Sequence, residues 1–341
     1  MPLNTSAKPG ISGAGYYVPD NIIGNNELEK TVKNFDAAKA GRSFDDWVQS
    51  RYGINERRRA DNETASYQAY KAVATALADA GLNATDLDFL ILNTSSGDYI
   101  QPTTASTVQQ LLGMRKNTFA MEINLPCGGP MYGIATAVSY LLTGKYKHGA
   151  VVGVDKMFAI IDNDDFRMGS LFGEGAASVI VSAGGPHIIE DFHLASAAEE
   201  GEEKDFALTI LAGNSKYPAS VQTLQSKMHY LKMNGPKVEA FAVSAIVESV
   251  SNLLGSAGLT INEIDFFVPH QAAYPIINKA FNSLNADPAK VLFTLDKFGN
   301  TSAASVLLTF AYHKNRYQPK QKIILTAMGA GLNWGGVLVQ W

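Results

Sequence analysis

The sequence predicts an α/β fold, in which helices cover a mostly parallel β-sheet. Three observations favour this class. Short runs rich in β-branched and aromatic residues alternate with longer stretches whose apolar residues recur at helical spacing. A segment of the first half of the chain reappears in the second half. The 341 residues, 46% of them hydrophobic, are enough to form a large buried core.

The candidate elements follow from their boundaries, since Gly, Pro, Asn or Asp delimit each apolar run. Candidate strands cover residues 11–16, 88–93, 119–123, 150–154, 177–181, 187–192, 266–268, 291–295, 322–327 and 336–339. Candidate helices cover residues 64–80, 103–112, 130–143, 238–256, 275–284 and 303–314. Strands that alternate with helices in this way are typical of α/β domains.

An internal repeat joins the end of a helix to the start of a strand. The segment 80–89 reads Ala-Gly-Leu, five residues, then Asp-Phe, and the same pattern recurs 177 residues later at 257–266. A glycine at a helix end is common, so this segment alone leaves duplication and coincidence equally open. A helix start rich in small residues follows in each half, near Cys127 and at 299–305. We therefore predict two halves, residues 1–183 and 184–341.

Charge and cysteine content exclude several classes of protein. The chain has 28 Lys and Arg against 32 Asp and Glu, so its net charge of −4 does not favour nucleic-acid binding. The single cysteine, Cys127, excludes an intrachain disulfide and a CxxC site. We find no secretory leader and no run of about 18 uncharged apolar residues. These features predict a cytoplasmic chain with no membrane span.

Several nucleotide and hydrolase motifs are incomplete or missing from the sequence. Val18 stands where the dinucleotide motif that begins at Gly13 requires its third glycine. The sequence has no GxxxxGK[ST], HExxH or GxSxG motif. The basic run 57–59 is interpreted as a solvated turn, with a phosphate contact as the less favoured alternative.

Cys127 is the first candidate for catalysis. It lies between a strand and a helix, and Pro130 is tolerated only in the first turn of that helix. The helix dipole and free N–H groups would favour a thiolate at this position. Gly128 and Gly129 would let a substrate approach closely. On position alone, a buried structural cysteine is an equally good alternative.

Two further residues favour a nucleophilic role for this cysteine. His270 follows an apolar strand, at the end of the sheet where α/β proteins commonly bind ligands. Asn300 lies in a glycine turn that opens a helix. Taken alone, each residue type is more often structural, as a satisfied histidine or as a helix cap. Together with Cys127 they form a set known from acyl transfer, with one nucleophile and two hydrogen-bonding groups.

At these residues the sequence resembles the β-ketoacyl-acyl-carrier-protein synthase III branch of the thiolase-like condensing enzymes. The resemblance runs nearly from end to end. Its most specific motifs are Val-Pro-His-Gln-Ala at 268–272, Gly-Asn-Thr-Ser-Ala-Ala-Ser at 299–305 and Gly-Ala-Gly-Leu-Asn-Trp-Gly at 329–335. The resemblance implies a duplicated thiolase-like α/β fold in five αβαβα layers, and normally a homodimer.

The resemblance also implies a decarboxylative Claisen condensation. Cys127 would take an acyl group from an acyl thioester such as acyl-CoA, and a malonyl or β-ketoacyl thioester would then enter. His270 and Asn300 would donate hydrogen bonds to its carbonyl group as CO₂ leaves. The N–H groups of Cys127 and Ala330 would form the oxyanion hole. No metal or cofactor is implied, and an acyl carrier protein is a candidate partner.

The predicted substrate-binding positions depart from the family pattern. Trp47 matches the aromatic residue that stacks on the adenine of coenzyme A, but Arg167 matches its arginine partner only after a shift of one position. Gln101 stands where the family often has a Phe that lines the partner subunit's acyl pocket. Phe172 is a further candidate for substrate binding. Pro275 replaces an arginine that often helps to dock the carrier protein.

These departures are typical of relatives in specialised metabolism rather than in housekeeping lipid synthesis. We predict a ketosynthase III with non-standard substrates, in fatty-acid synthesis or in specialised metabolism such as alkylresorcinol, quinolone or polyketide-like synthesis. The first alternative is acyl transfer to an alcohol, an amine or a second acyl chain without decarboxylation. A non-catalytic partner subunit is disfavoured because all three candidate catalytic residues are present. A hydroxymethylglutaryl-CoA synthase needs a carboxylate base, and Glu122 is interpreted as a structural acid instead.

Overall fold

The predicted alternation of strands and helices is present in the computed structural model, which describes residues 8–341. The strands are β1 (Pro9–Tyr17), β2 (Ile22–Gly24), β3 (Glu56–Arg58), β4 (Phe89–Asn93), β5 (Phe119–Ile123), β6 (His148–Asp155), β7 (Gly175–Ala183), β8 (His187–Ser196), β9 (Leu208–Thr209), β10 (Lys232–Met233), β11 (Phe266–Pro269), β12 (Lys322–Gly329) and β13 (Asn333–Gln340). The α-helices are α1 (Asn25–Leu28), α2 (Ala37–Ala40), α3 (Phe44–Tyr52), α4 (Ala65–Ala80), α5 (Thr104–Leu112), α6 (Gly129–Leu142), α7 (Met157–Ile160), α8 (Phe166–Leu171), α9 (Val221–Gln225), α10 (Gly235–Ala257), α11 (Tyr274–Ser283), α12 (Leu295–Phe298) and α13 (Ser305–Tyr312).

Nine strands form one mixed sheet in the order β11-β12-β13-β8-β1-β7-β6-β4-β5. The first half of the chain contributes β5, β4, β6, β7 and β1 in that spatial order. In the second half, Val291 pairs with Phe267 of β11, and β12, β13 and β8 follow. Each half thus contributes five strand segments to this sheet. Numbered along the chain within each half, these segments lie in the same spatial order in both halves: third, second, fourth, fifth and first. Strands β1 and β8 join the two half-sheets.

Side chains along each strand alternate between a central apolar layer and an outer one. On β4, Phe89 and Ile91 belong to the central cluster and Leu90 to an outer cluster; on β12, Leu325 is central and Ile324 is outer. Helices α6 and α13 pack between the half-sheets, whereas α4 and α5 cover one outer face and α10 and α11 the other. This arrangement is the predicted five-layer αβαβα fold.

The repeated sequence segment folds in the same way in both halves. Helices α4 and α10 end at Gly81 and Gly258, with φ angles of 67° and 66°. A capping box then opens a short 3₁₀ turn in each half, Ala84–Asp86 and Ile261–Glu263, before the next strand begins. The shared topology and the shared turn favour a duplicated unit, and the boundary at 183/184 stays a prediction.

Two predictions about the sheet are wrong. The sheet is mixed rather than mostly parallel. Strand β1 pairs antiparallel with β7 and β8, β6 with β7, and β13 with β12 and β8, whereas β4 pairs parallel with β5 and β6, and β11 parallel with β12. The predicted strand 291–295 is a single bridge at Val291, and α12 begins at Leu295. The N–H groups of Thr294 and Leu295 donate to the Gln271 side chain, so they are not available for strand pairing.

The interpretation of the basic run 57–59 as a solvated turn is wrong for Arg57. This side chain is fully buried and donates to the carbonyl groups of Ile23 and Ser170 and to Asn25 Oδ1. A buried cation with these partners is structural. It ties strand β3 to α8, and α8 precedes the segment that pairs with Asn300.

Helix α10 is long and apolar enough to span a membrane by length and composition alone. Its apolar residues, including Ile246, Val250 and Leu253, pack in the cluster that covers the C-terminal half-sheet. A core helix of this length passes the same test, so α10 is explained by its packing in the fold.

Candidate active site

Cys127 lies in the short connection from β5 to α6, directly before Gly128, the N-cap of α6. The turn is closed by the Gly129 N–H, which donates to the Pro126 carbonyl over 2.7 Å. Pro130 fits the first helical turn because its missing N–H has no intrahelical acceptor there. The predicted position of Cys127 at a helix N-terminus is therefore present in the structure.

The predicted preference for a thiolate is wrong for the substrate-free protein. Burial raises the pKa of the Cys127 thiol to about 12, and a hydrogen bond with the Ser302 hydroxyl lowers it part of the way back. The Sγ–Oγ distance is 3.4 Å. At neutral pH the resting nucleophile is therefore the neutral thiol, because partial loss of solvation penalises the charged form.

His270 follows β11 and is 3% exposed. Its N–H donates to the Thr326 carbonyl over 2.7 Å, which continues the pairing of β11 with β12. Its Nδ1 lies 2.5 Å from Ser305 Oγ, and that oxygen also accepts the Gln271 N–H. We assign the hydroxyl hydrogen to Nδ1, which leaves the ring hydrogen on Nε2. Burial lowers the pKa of His270 to about 3, so the ring is neutral and Nε2–H is a donor.

Asn300 is held by backbone pairing on both sides. Its N–H donates to the Leu171 carbonyl and its own carbonyl accepts the Gly173 N–H, each over 3.0 Å. Its Oδ1 accepts the Ser302 N–H over 2.9 Å. The amide oxygen is thereby occupied, and Nδ2 is the group that Asn300 can offer to a ligand.

A buried carboxylate anchors the segment that follows Asn300. Asp155 is fully buried at the end of β6, and its Oδ1 accepts hydrogen bonds from the hydroxyl groups of Thr94, Ser95 and Ser96. Its Oδ2 accepts the Ala303 N–H over 3.2 Å. Asp155 therefore fixes the turn that carries Ser302 against the N-terminal half.

One cavity of about 450 Å³ brings the predicted catalytic residues together. Cys127, His270, Asn300 and Ala330 line it, and so does Ser302. Apolar side chains supply much of the remaining wall, among them Met157, Ile160, Leu208, Met233 and Phe241. Its size lies within the range of about 300–1,000 Å³ that is typical of ligand pockets. The arrangement combines one thiol and two neutral donors in an apolar site.

Comparison with known proteins places this chain in a protein family. The sequence profile of 3-oxoacyl-[acyl-carrier-protein] synthase III matches residues 121–198, and the profile of its C-terminal part matches residues 254–341. A β-ketoacyl-[acyl-carrier-protein] synthase III of Bacillus cereus is 35% identical over 335 residues, which cover 97% of this chain and 98% of that protein. The chain belongs to the 3-oxoacyl-[acyl-carrier-protein] synthase III family.

Other synthase III proteins show the same likeness over nearly the whole chain. The synthase III of Syntrophomonas wolfei is 34% identical, with 98% of each chain covered. The synthase III structure from Aquifex aeolicus is 32% identical, has a TM-score of 0.84 and covers 98% of this chain and 100% of that one. The chain is thus an acyltransferase of the ketosynthase III type with a thiolase-like fold.

The predicted substrate-binding residues of this synthase III divide into two groups. Phe172 lines the cavity. Trp47, Arg167 and Gln101 do not contribute to its wall. Trp47 packs edge-on against Tyr52, which does line the cavity, and Arg167 forms an ion pair of 2.8 Å with Asp165. Gln101 is exposed in the loop before α5.

Sequence analysis missed Ser302, Ser305 and Asp155. A signal for the two serines was present, because both lie in the motif 299–305 and place hydroxyl groups three residues apart at a helix start. The signal for Asp155 was only an acidic residue directly after a predicted strand. Glu122 accepts the Ala105 N–H in the first turn of α5, as expected of a structural acid.

Proposed function

We propose that this chain is acylated on Cys127 and then condenses the acyl group with a malonyl thioester, with loss of CO₂. One observation carries the proposal: Cys127, His270 and Asn300 line the same apolar cavity, and the last two offer only N–H donors to it. Neutral donors stabilise a developing enolate without taking a proton from the substrate. The lowered pKa of His270 keeps its ring neutral, as this donor role requires.

In the first half-reaction, Cys127 Sγ attacks the carbonyl carbon of an acyl thioester. A bond forms from Sγ to this carbon, and when the resulting tetrahedral intermediate collapses, the bond to the leaving sulfur breaks and the leaving thiolate receives the Sγ proton. The tetrahedral intermediate carries its negative charge on the former carbonyl oxygen. The N–H groups of Cys127 and Ala330 donate to no other residue in the described part of the chain, so they can donate to that oxygen.

In the second half-reaction, the malonyl carboxylate leaves as CO₂. The electrons of the broken C–C bond form an enolate, and His270 Nε2–H and Asn300 Nδ2–H donate to its oxygen. The enolate carbon then attacks the acyl carbon on Cys127. The new C–C bond displaces Sγ as a thiolate, which is protonated again to restore the resting thiol.

We infer that the substrates are acyl-CoA and malonyl thioesters, with an acyl carrier protein as partner, and that no metal or other cofactor takes part. Trp47, Arg167, Gln101 and Phe172 remain the proposed substrate-binding residues. The apolar wall suits an acyl chain, in fatty-acid or specialised-metabolite synthesis. We place the reaction in the cytoplasm.

We also propose a homodimer that forms through the β5 edge. Strand β5 is the terminal strand of the sheet, and its apolar residues Phe119, Met121 and Ile123 are only half-buried. An unpaired apolar edge is otherwise prone to aggregation. In the nearby loop, Tyr99 and Ile100 are 63% and 84% exposed. Pairing of β5 with the same strand of a second copy would extend the sheet, and light scattering would report the mass.

The test is to supply a panel of acyl-CoA thioesters together with malonyl-CoA or a malonyl carrier protein. The expected result is one CO₂ released for each β-ketoacyl thioester formed, measured by gas release and mass spectrometry. Acyl transfer to an alcohol, an amine or a second acyl chain without CO₂ release would instead support the alternative function. Turnover that survives in Cys127→Ala would contradict both.

A further inference from the structure

Asn333 lies at the base of the hairpin that carries Ala330. It pairs with Gly329 in the last register position of β12 and β13, so residues 330–332 form the loop. Asn333 is 2% exposed, and its Nδ2 donates to the Ala330 carbonyl oxygen. The side chain therefore bridges the loop from within.

The same side chain contacts the turn that carries the nucleophile. A Cβ atom added to Gly128 would lie 2.0 Å from Asn333 Oδ1, a distance that no real contact allows. A Cβ atom added to Gly329 would lie 3.0 Å from the Gly128 nitrogen and 3.3 Å from the Cys127 nitrogen. The hairpin thus packs without a gap against the backbone of Cys127 and Gly128, and Asn333 fills the corner between them.

The orientation of this amide follows from its neighbours. An exchange of Oδ1 and Nδ2 would set two oxygen atoms against each other at the Ala330 carbonyl, so the donor must face Ala330. Oδ1 is then buried with no hydrogen-bond partner in the described part of the chain. A buried unpaired oxygen destabilises a fold, so stability alone does not explain an asparagine at this position.

We propose that Asn333 is a positioning residue for the oxyanion hole, an inference that rests on the proposed function. By binding the Ala330 carbonyl, Asn333 fixes the backbone conformation of Ala330 and keeps the negative end of that carbonyl away from a developing oxyanion. By packing on Gly128, it sets the distance between the Ala330 N–H, from the C-terminal half, and the Cys127 N–H, from the N-terminal half.

The test separates two steps that use different donors. Acylation of Cys127 passes through an oxyanion, whereas release of CO₂ from malonyl-CoA without an acyl donor uses His270 and Asn300. Asn333→Asp keeps the size of the side chain but replaces the donor with an acceptor. We expect the single-turnover rate of acylation, followed by intact-protein mass spectrometry, to fall at least tenfold. Loss of a whole oxyanion donor typically costs about 10²–10³ in rate, which sets the upper bound.

The rate of CO₂ release in Asn333→Asp should stay within about twofold of wild type. Asn93→Asp is the matched control, because Asn93 is also fully buried, donates to a backbone carbonyl and has an unpaired Oδ1. It should change the ratio of the two rates less than twofold even if it lowers the melting temperature. Asn333→Ser supplies an uncharged variant should the aspartate prevent folding, and it should also lose acylation selectively.

Equal rates of acylation in wild type and in both Asn333 variants would overturn the inference while leaving the proposed function intact. A parallel fall of acylation and CO₂ release would also overturn it, since a merely structural residue would affect both steps. A wild-type chain that takes no acyl group from any thioester would instead overturn the proposed function, and this inference with it.

Discussion

The Ser302 hydroxyl oxygen lies 3.4 Å from the Cys127 sulfur, although the two residues come from different halves of the chain. Ser302 is buried and has a φ angle of 50°, and its backbone N–H donates to Asn300 Oδ1. One residue therefore contacts both the proposed nucleophile and a proposed enolate donor. Its hydrogen bond to the sulfur opposes the effect of burial on the pKa of the thiol.

Replacement of this hydroxyl should weaken the nucleophile. Ser302→Ala keeps Cβ and the backbone hydrogen bond but removes the donor to a forming thiolate. A hydrogen bond to a charged group contributes about 1.5–3 kcal/mol, so we expect alkylation of Cys127 by iodoacetamide to slow by about tenfold to hundredfold. Mass spectrometry of the modified peptide measures the rate. A rate equal to wild type, with an unchanged melting temperature, would show that the contact does not act on the sulfur.

The pH dependence of the same alkylation tests the burial effect. Because burial raises the pKa of Cys127 to about 12, the thiolate fraction should rise about tenfold for each pH unit from 7 to 10, without a plateau. The folded-state pKa lies above the unfolded-state value of about 8.5. The contribution of this thiol to the free energy of unfolding is therefore complete below about pH 8.5 and is lost as the pH rises towards 12. A rate that levels off below pH 8 would show a thiolate stabilised at the helix N-terminus.

Ser305 should matter for decarboxylation rather than acylation. Its hydroxyl fixes the His270 tautomer that presents Nε2–H to the cavity. Ser305→Ala should slow CO₂ release from malonyl-CoA by about tenfold, the effect of a lost hydrogen bond of about 1–1.5 kcal/mol, and leave acylation of Cys127 nearly unchanged. Thr309→Val is the matched control, because it removes a buried hydroxyl one turn further along α13. An equal effect of both variants would contradict the role of Ser305.

Asp155 should contribute to stability and to decarboxylation together. Asp155→Asn turns an acceptor into a donor that faces the hydroxyl and N–H donors around it. Each buried group left unpaired costs about 1–3 kcal/mol, so we expect a lower melting temperature and a fall in CO₂ release as the turn before Ala303 loosens. Asp164→Asn loses only an exposed ion pair of 2.8 Å with Lys33 and should change neither. An unchanged melting temperature in Asp155→Asn would contradict this role.

The fold was largely predictable because its signals are local. Strand β5 begins and ends where the apolar run 119–123 does, and α4 and α10 end at the two glycines of the repeat. The strand predicted at 291–295 does not extend past its first residues because the N–H groups of Thr294 and Leu295 bind Gln271, which lies more than twenty residues away in sequence. A long-range side-chain acceptor leaves no trace in local periodicity.

The candidate site was predictable in its main residues but not in its electrostatics. Cys127, His270 and Asn300 each follow a strand or open a helix, and such positions can be recognised from sequence. The neutral state of the thiol depends on burial by both halves of the chain. The helix position alone therefore predicted the wrong direction for the pKa shift of Cys127. Asp155 and Asn333 act through contacts between the halves, and no sequence pattern reports these contacts.

The most direct measurement is peptide mapping by mass spectrometry after exposure of the chain to a panel of acyl-CoA thioesters. We expect one acyl group, bound as a thioester to Cys127 and absent from Cys127→Ala, with its mass giving the preferred chain length. His270→Ala should still carry the adduct, since His270 acts only in the second half-reaction. A wild-type chain that carries no adduct with any thioester, or carries it on another residue, would contradict nucleophilic catalysis by Cys127.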